Sequence, residues 1–127
     1  MIVVDSCGWL EFYADGPLAE EYAKYLIDLE AVVTPALVIY EVYKKVKRER
    51  GEPDALMAVG PMQKTLIVPF DTRVGLLAAD LSLAFNLPLA DAAIYATAQL
   101  HNCNVVTSDQ HFKELPGVIY LRPPQSI

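Results

Sequence analysis

Cysteine is scarce in this sequence: Cys7 and Cys103 stand alone among 127 residues. Two thiols are too few for a disulfide framework, and neither has the companions that a zinc site needs, so both are expected to be reduced and structural. Glycine is sparse as well. With 6 glycines, 9 prolines and 54% hydrophobic residues, the composition excludes a disordered chain. No apolar run reaches the roughly 18 residues that a membrane-spanning helix requires. The opening "MIVVD" has neither the basic residues nor the apolar length of a signal peptide, which predicts a cytoplasmic chain with no membrane association. Basic residues are in the minority, 10 against 16 acidic ones. The resulting formal charge of −6 is the reverse of the usual footprint of a nucleic-acid-binding protein.

What is present is a chain long enough for one domain, expected over residues 1–127, that buries about two-thirds of its unfolded surface. The few cations are unevenly spread. Lys44, Lys45, Lys47, Arg48 and Arg50 put half of them into "KKVKRER". That segment reads either as a solvated helix end whose cations suit the C-terminal dipole or as a phosphate-binding patch.

Short β-branched runs alternate with longer helical patterns. Residues 1–4, 31–34, 65–69, 104–107 and 118–121 read as five strands, and their continuous apolar character predicts a parallel sheet buried on both faces by helices. The fold class is α/β. Helices are expected over 6–14, over 17–29 with Tyr22, Tyr25, Leu26 and Leu29 on one face, from Pro35 to Arg50, from Asp54 to about 60, over 72–85 and over 89–101. Pro35 reads as the first helical residue behind a Thr34 cap, and Gly51 as the stop.

In an open parallel sheet, ligands bind outside the carboxyl ends of the strands. Asp5 closes the first strand and Asp109 follows the fourth, while Glu41 and Asp91 lie on the helices after the second strand and before the fourth. Four acids are thus placed to converge on one edge, although each has an ordinary explanation. Asp5 and Asp109 sit where an Asp caps a following helix. Glu41 has Lys45 four residues on and lies off the apolar arc of Ala36, Ile39, Tyr40, Tyr43 and Val46, as a surface ion pair would. Asp91 differs, because it shares a face with Ile94, Tyr95 and Ala98 on the greasy helix "LADAAIYATA". A carboxylate there needs a partner, either its own helix N-terminus or a cation.

"VVDSCGW", "VIYEVYK", "LADAAIYATA" and "VVTSDQHF" resemble, in order and approximate spacing, the four signature blocks of PIN-domain ribonucleases, and among these most nearly the VapC toxins. The resemblance implies a three-layer sandwich around a five-stranded parallel sheet of order 3-2-1-4-5. It also implies that Asp5, Glu41, Asp91 and Asp109 form an acidic quartet binding one or two Mg²⁺ or Mn²⁺ ions, with hydroxyls of Ser6 and Thr107 near the metals. Cys7 stands where many relatives carry Ser or Thr. Carboxylates suit these hard cations, whereas His or Cys would suit zinc. The implied activity is hydrolysis of RNA, with tRNA or ribosomal RNA as possible substrates. The implied partners are a small VapB-like antitoxin and a second copy of the chain. "KKVKRER" then becomes the phosphate contact, through Lys44, Lys45, Lys47 and Arg48, with Arg73 and Lys113 as lesser candidates.

Alternatives are a PIN nuclease of RNA processing, a silent PIN scaffold and a receiver-like module. A receiver would need an acidic pair at the first strand and a Lys after the fifth. "VVDS" has one acid and "YLRPP" no Lys, so Asp71, which follows the third strand, reads as a helix cap. His101 and His111 lack any spacing that makes a metal or nucleophile pair; His111 flanks the acids in sequence but reads as a surface residue. Cys7 and Cys103 should lie about one strand length apart, roughly 17 Å, too far for a disulfide.

Overall fold

The computed structural model describes residues 1–123. The single domain expected over 1–127 therefore includes four residues, 124–127, that lie outside the described ones. Five strands alternate with helices: β1 Ile2–Val4, α1 Ser6–Ala14, α2 Ala19–Tyr25, β2 Val32–Pro35, α3 Ala36–Arg50, α4 Glu52–Val59, β3 Leu66–Val68, α5 Thr72–Phe85, α6 Leu89–Leu100, β4 Asn104–Thr107 and β5 Val118–Tyr120. Every strand pairing is parallel and the spatial order is β3-β2-β1-β4-β5, with helices on both sides. In register, Val3 faces Val33 on one side and Val105 on the other.

The valine-rich central strands explain the architecture. Val3, Val4, Val32, Val33, Val105 and Val106 are wholly buried, as expected for strands covered on both faces. The edge strands depart from that expectation. Leu66 and Ile67 of β3 are exposed, because an outer strand has one neighbour and thinner helical cover.

Three sequence expectations need correction. The second helix stops at Tyr25 instead of running to residue 29; Asp28 then accepts from the Glu30 N–H and starts a separate 3₁₀ turn over Leu29–Ala31. Pro35 is the N-cap of α3 and not its first helical residue, because Thr34 remains buried in β2, where its Oγ1 accepts from Thr65 Oγ1 at 2.6 Å. The buried stripe of α3 is Val38, Val42 and Val46, at strict i, i+4 spacing, while Tyr40 is 56% exposed. The compact valines claim the core and leave the tyrosines to the flanks.

Gly51 ends α3 as expected, with φ at +92°, a conformation that glycine adopts without steric cost. Both cysteines are free thiols. Among the described residues no single helix is long and apolar enough to cross a membrane.

Candidate active site

The parallel order sets β1 and β4 side by side at the centre of the sheet, the point where successive connections turn in opposite directions and leave a crevice. Asp5 leaves β1 there. Its N–H still donates to Val106 O of β4 at 3.1 Å, so the ladder itself fixes its backbone. The Asp5 side chain is 2% exposed and makes no capping bond to α1. It is held instead by hydroxyls: Thr107 Oγ1 donates to Oδ2 at 2.7 Å and Ser6 Oγ to Oδ1 at 3.2 Å. The two hydroxyl positions picked out in the sequence therefore both touch this carboxylate.

Asp109 arrives from the loop after β4. Its N–H donates to Thr107 Oγ1 at 2.9 Å, so one threonine ties together the acids of both strands. Asp109 Oδ1 also accepts from the His111 N–H at 2.9 Å, capping the 3₁₀ turn Gln110–Phe112.

Asp91 lies in the first turn of α6, a helix buried from Asp91 through Ala98. Pro88, not Asp91, is the N-cap of this helix, and Asp91 Oδ2 faces His111 Nδ1 at 2.8 Å. The same nitrogen is 3.0 Å from Asp109 Oδ1.

Glu41 is half-buried on α3 and does not form the ion pair expected of it, because Lys45 leans one turn further to Glu49, at 3.7 Å. Glu41 Oε1 is buried with no hydrogen-bond partner.

The four acids act on one another electrostatically. Burial foremost raises the pKa of Asp5, with the charge of Asp109 adding to it against the opposing Thr107 hydrogen bond. Burial also leads for Glu41, opposed by the nearby Ser6 hydroxyl and raised further by the charges of Asp5 and Asp109. For Asp91, burial followed by the charges of Asp109 and Asp5 lifts the pKa to about 7. Every pair among the four carboxylates therefore repels. The charges of Asp109 and Asp91 in turn raise the pKa of His111.

A concentration of hard oxygen donors, repelling one another and including an orphaned buried oxygen, fits a divalent cation such as Mg²⁺ or Mn²⁺. Asp91, Asp109 and His111 place ligand atoms within 4.8 Å of one another, a grouping able to hold a metal ion.

Three residues of this neighbourhood were not singled out for the site in the sequence. His111 reads there as a surface residue and is indeed exposed, but the tight turn after Asp109 brings its Nδ1 to both Asp91 and Asp109. Tyr22 reads as one member of an apolar helix face. It is wholly buried, and its hydroxyl donates to Ser108 Oγ at 2.7 Å, across 86 residues of chain. Cys7 Sγ sits between Asp5, Tyr22, Thr107 and Ser108 at 3.5 to 3.6 Å. Gly8 makes this layer possible, since a Cβ there would lie 2.4 Å from the Tyr22 ring.

The basic segment is divided by the turn of α3. Lys44, Lys45 and Arg48 line a cleft with Glu41 and Tyr40, whereas Lys47 lies over the Tyr43 ring, 5.4 Å from its centre. Arg73 and Lys113 are exposed.

The fold recurs in solved structures. The fold is similar to a toxin–antitoxin complex from Klebsiella pneumoniae, with 22% identity over 94% of this chain and 96% of that one, at a TM-score of 0.78. It is also similar to Mycobacterium tuberculosis VapC20, described as a sarcin–ricin loop cleaving toxin, with 17% identity over 97% and 100% and a TM-score of 0.80. VapBC2 from Rickettsia felis, bound to a promoter DNA fragment, matches with 16% identity over 98% and 100% at 0.76. At these identities the likeness shows the fold. No curated protein matches by sequence. The PIN domain matches residues 2–118, from the first residue of β1 to the first of β5, and the chain belongs to the PIN domain family.

Proposed function

We propose that this protein is a metal-dependent endoribonuclease and the toxin of a VapBC-type toxin–antitoxin pair, acting in the cytoplasm. The observation that carries this reading is the gathering of Asp5, Glu41, Asp91 and Asp109 at the centre of the sheet edge, with three of their pKa values raised and a Glu41 oxygen unpartnered. These four side chains would hold one or two Mg²⁺ or Mn²⁺ ions. Such an ion, when bound, supplies an activated water and positive charge beside the scissile phosphate.

The residues of the chain have separable tasks in this reading. Thr107 fixes the Asp5 carboxylate against β4 and, by accepting from the Asp109 N–H, sets the distance between the two acids. The buried α6 carries Asp91 in its first turn and sets its carboxylate beside His111. Lys44, Lys45 and Arg48 give RNA phosphates a cationic approach that starts one turn from Glu41. Lys47, lying over Tyr43, contributes at longer range. His111 Nδ1, within 3.0 Å of both Asp91 and Asp109, holds these two carboxylates together.

The toxin assignment draws on the structural neighbours, several of which are toxin–antitoxin complexes. It carries with it a small VapB-like antitoxin and a homodimer as partners.

The deciding experiment is RNA cleavage with Mn²⁺ or Mg²⁺ by the wild type and by Asp91→Asn. Activity in the first and its loss in the second is the expected result. Equal cleavage by both would remove Asp91 from the site and overturn the quartet.

A further inference from the structure

The cleft on the flank of α3 has a composition that phosphate binding alone does not require. It has a volume of about 180 Å³ and is lined by Tyr40, Glu41, Lys44, Lys45 and Arg48. Lys45 also lines a second cleft of about 330 Å³ with Cys7, Glu11 and Ser108, so it stands where two clefts meet beside the acids. The two differ in chemistry. The second contains no cation apart from Lys45, whereas the first holds three cations and an aromatic ring.

That ring is not packed into the core. Tyr40 is 56% exposed, while Val38 and Val42 on either side of it are buried. Lys44 holds it from the next turn, donating from Nζ to the Tyr40 hydroxyl at 3.1 Å and lying 5.3 Å from the ring centre. An exposed aromatic face beside a row of cations is the combination by which proteins grip single-stranded nucleic acid: the cations follow the backbone and the ring takes a base.

We propose that this cleft is a nucleotide subsite, in which Lys45 and Arg48 contact backbone phosphate and Tyr40 stacks on the base of an unpaired nucleotide next to the cut. The proposal deepens the ribonuclease reading and rests on it, adding Tyr40 as a residue that positions the nucleotide. A base inside an A-form duplex stays stacked and turned inward, out of reach of a ring on the flank of a helix.

Binding can test this without hydrolysis. A fluorescein-labelled 12-mer of uridines and a 12-base-pair RNA duplex are titrated in EDTA, with fluorescence anisotropy as the readout. Tyr40→Ala should weaken binding of the single strand about tenfold, leave its salt dependence unchanged and leave the duplex unaffected. Tyr40→Phe, which keeps the ring and loses only the hydroxyl, should bind as the wild type does. Arg48→Gln should weaken both ligands and flatten the salt dependence. Because Tyr40 lies on the surface, its variants should melt within a degree or two of the wild type.

The subsite is overturned if Tyr40→Ala binds the single strand as tightly as the wild type, or if it loses single strand and duplex alike. The nuclease reading fails separately. A wild type that shows the expected binding pattern but cuts no RNA in Mn²⁺ keeps the subsite and loses the enzyme. One that cuts RNA while Tyr40→Ala binds normally keeps the enzyme and loses the subsite.

Discussion

Asp5 and Asp71 both follow a parallel strand and precede a helix, yet they do opposite things. Asp71, at the outer edge beyond β3, is exposed and spends its Oδ1 on the Val74 N–H at 3.0 Å, capping α5. Asp5, at the centre of the sheet, is buried, makes no cap and depends on Thr107 across 102 residues of chain. An acid with a local backbone partner is accounted for by its helix. One that is buried, repelled by its neighbours and held by hydroxyls, one of them from a distant strand, is what the proposed metal site requires.

The largest expected effect separates this pair directly. Asp5→Asn should lower RNA cleavage by more than roughly 100-fold, beyond what loss of a supporting contact costs, whereas Asp71→Asn should leave cleavage unchanged. Comparable losses in both, measured as single-turnover rates in Mn²⁺, would erase the distinction.

The second effect is on stability against pH. An unfolded Asp titrates near 3.9, while folded Asp91 does so at about 7. Between those values the folded chain holds a proton that the unfolded chain has lost, so stability falls as pH rises. His111 acts in the same direction, since its raised pKa gives a contribution that is lost as it deprotonates. The metal-free protein should therefore melt about 5–10 °C lower at pH 8.5 than at pH 5.5. Mn²⁺ should recover most of that loss, and Asp91→Asn should flatten the profile. Scanning calorimetry at the two pH values reads all three.

A smaller effect tests how Asp5 is held. Thr107→Val keeps the shape of the side chain and removes the hydroxyl that bridges Asp5 and the Asp109 N–H. Metal affinity measured by calorimetry should fall roughly 10- to 100-fold, with the fold retained. The smallest is Asp71→Ala, expected to cost about 1 kcal/mol in denaturant unfolding through the lost cap, with metal affinity untouched.

Much of the fold was legible in the residues. The bounds of α1, α5 and β4 follow from turn residues and apolar spacing, and Gly51 stops α3 where expected. The departures have local causes. Asp28 offers the backbone a cap that ends the helical run early, and valines outcompete tyrosines for the core face of α3. The four acids could be named because each falls next to a strand end or on a helix beside one. One of their surroundings was misread, Glu41 as a partner of Lys45, and the contact of the exposed His111 with Asp91 and Asp109 was missed, because both depend on where separate elements meet.

The sequence by itself determined an α/β chain with valine-rich strands, a basic stretch in the second half of α3 and acids at the ends of the strands. Period, turn chemistry and charge spacing are local properties, and a linear pattern carries them. Only the tertiary structure decided which of those acids share one environment. Desolvation and mutual repulsion arise when β1 and β4, whose register partners lie 102 residues apart in the chain, become hydrogen-bonded neighbours, and no window of sequence contains that contact.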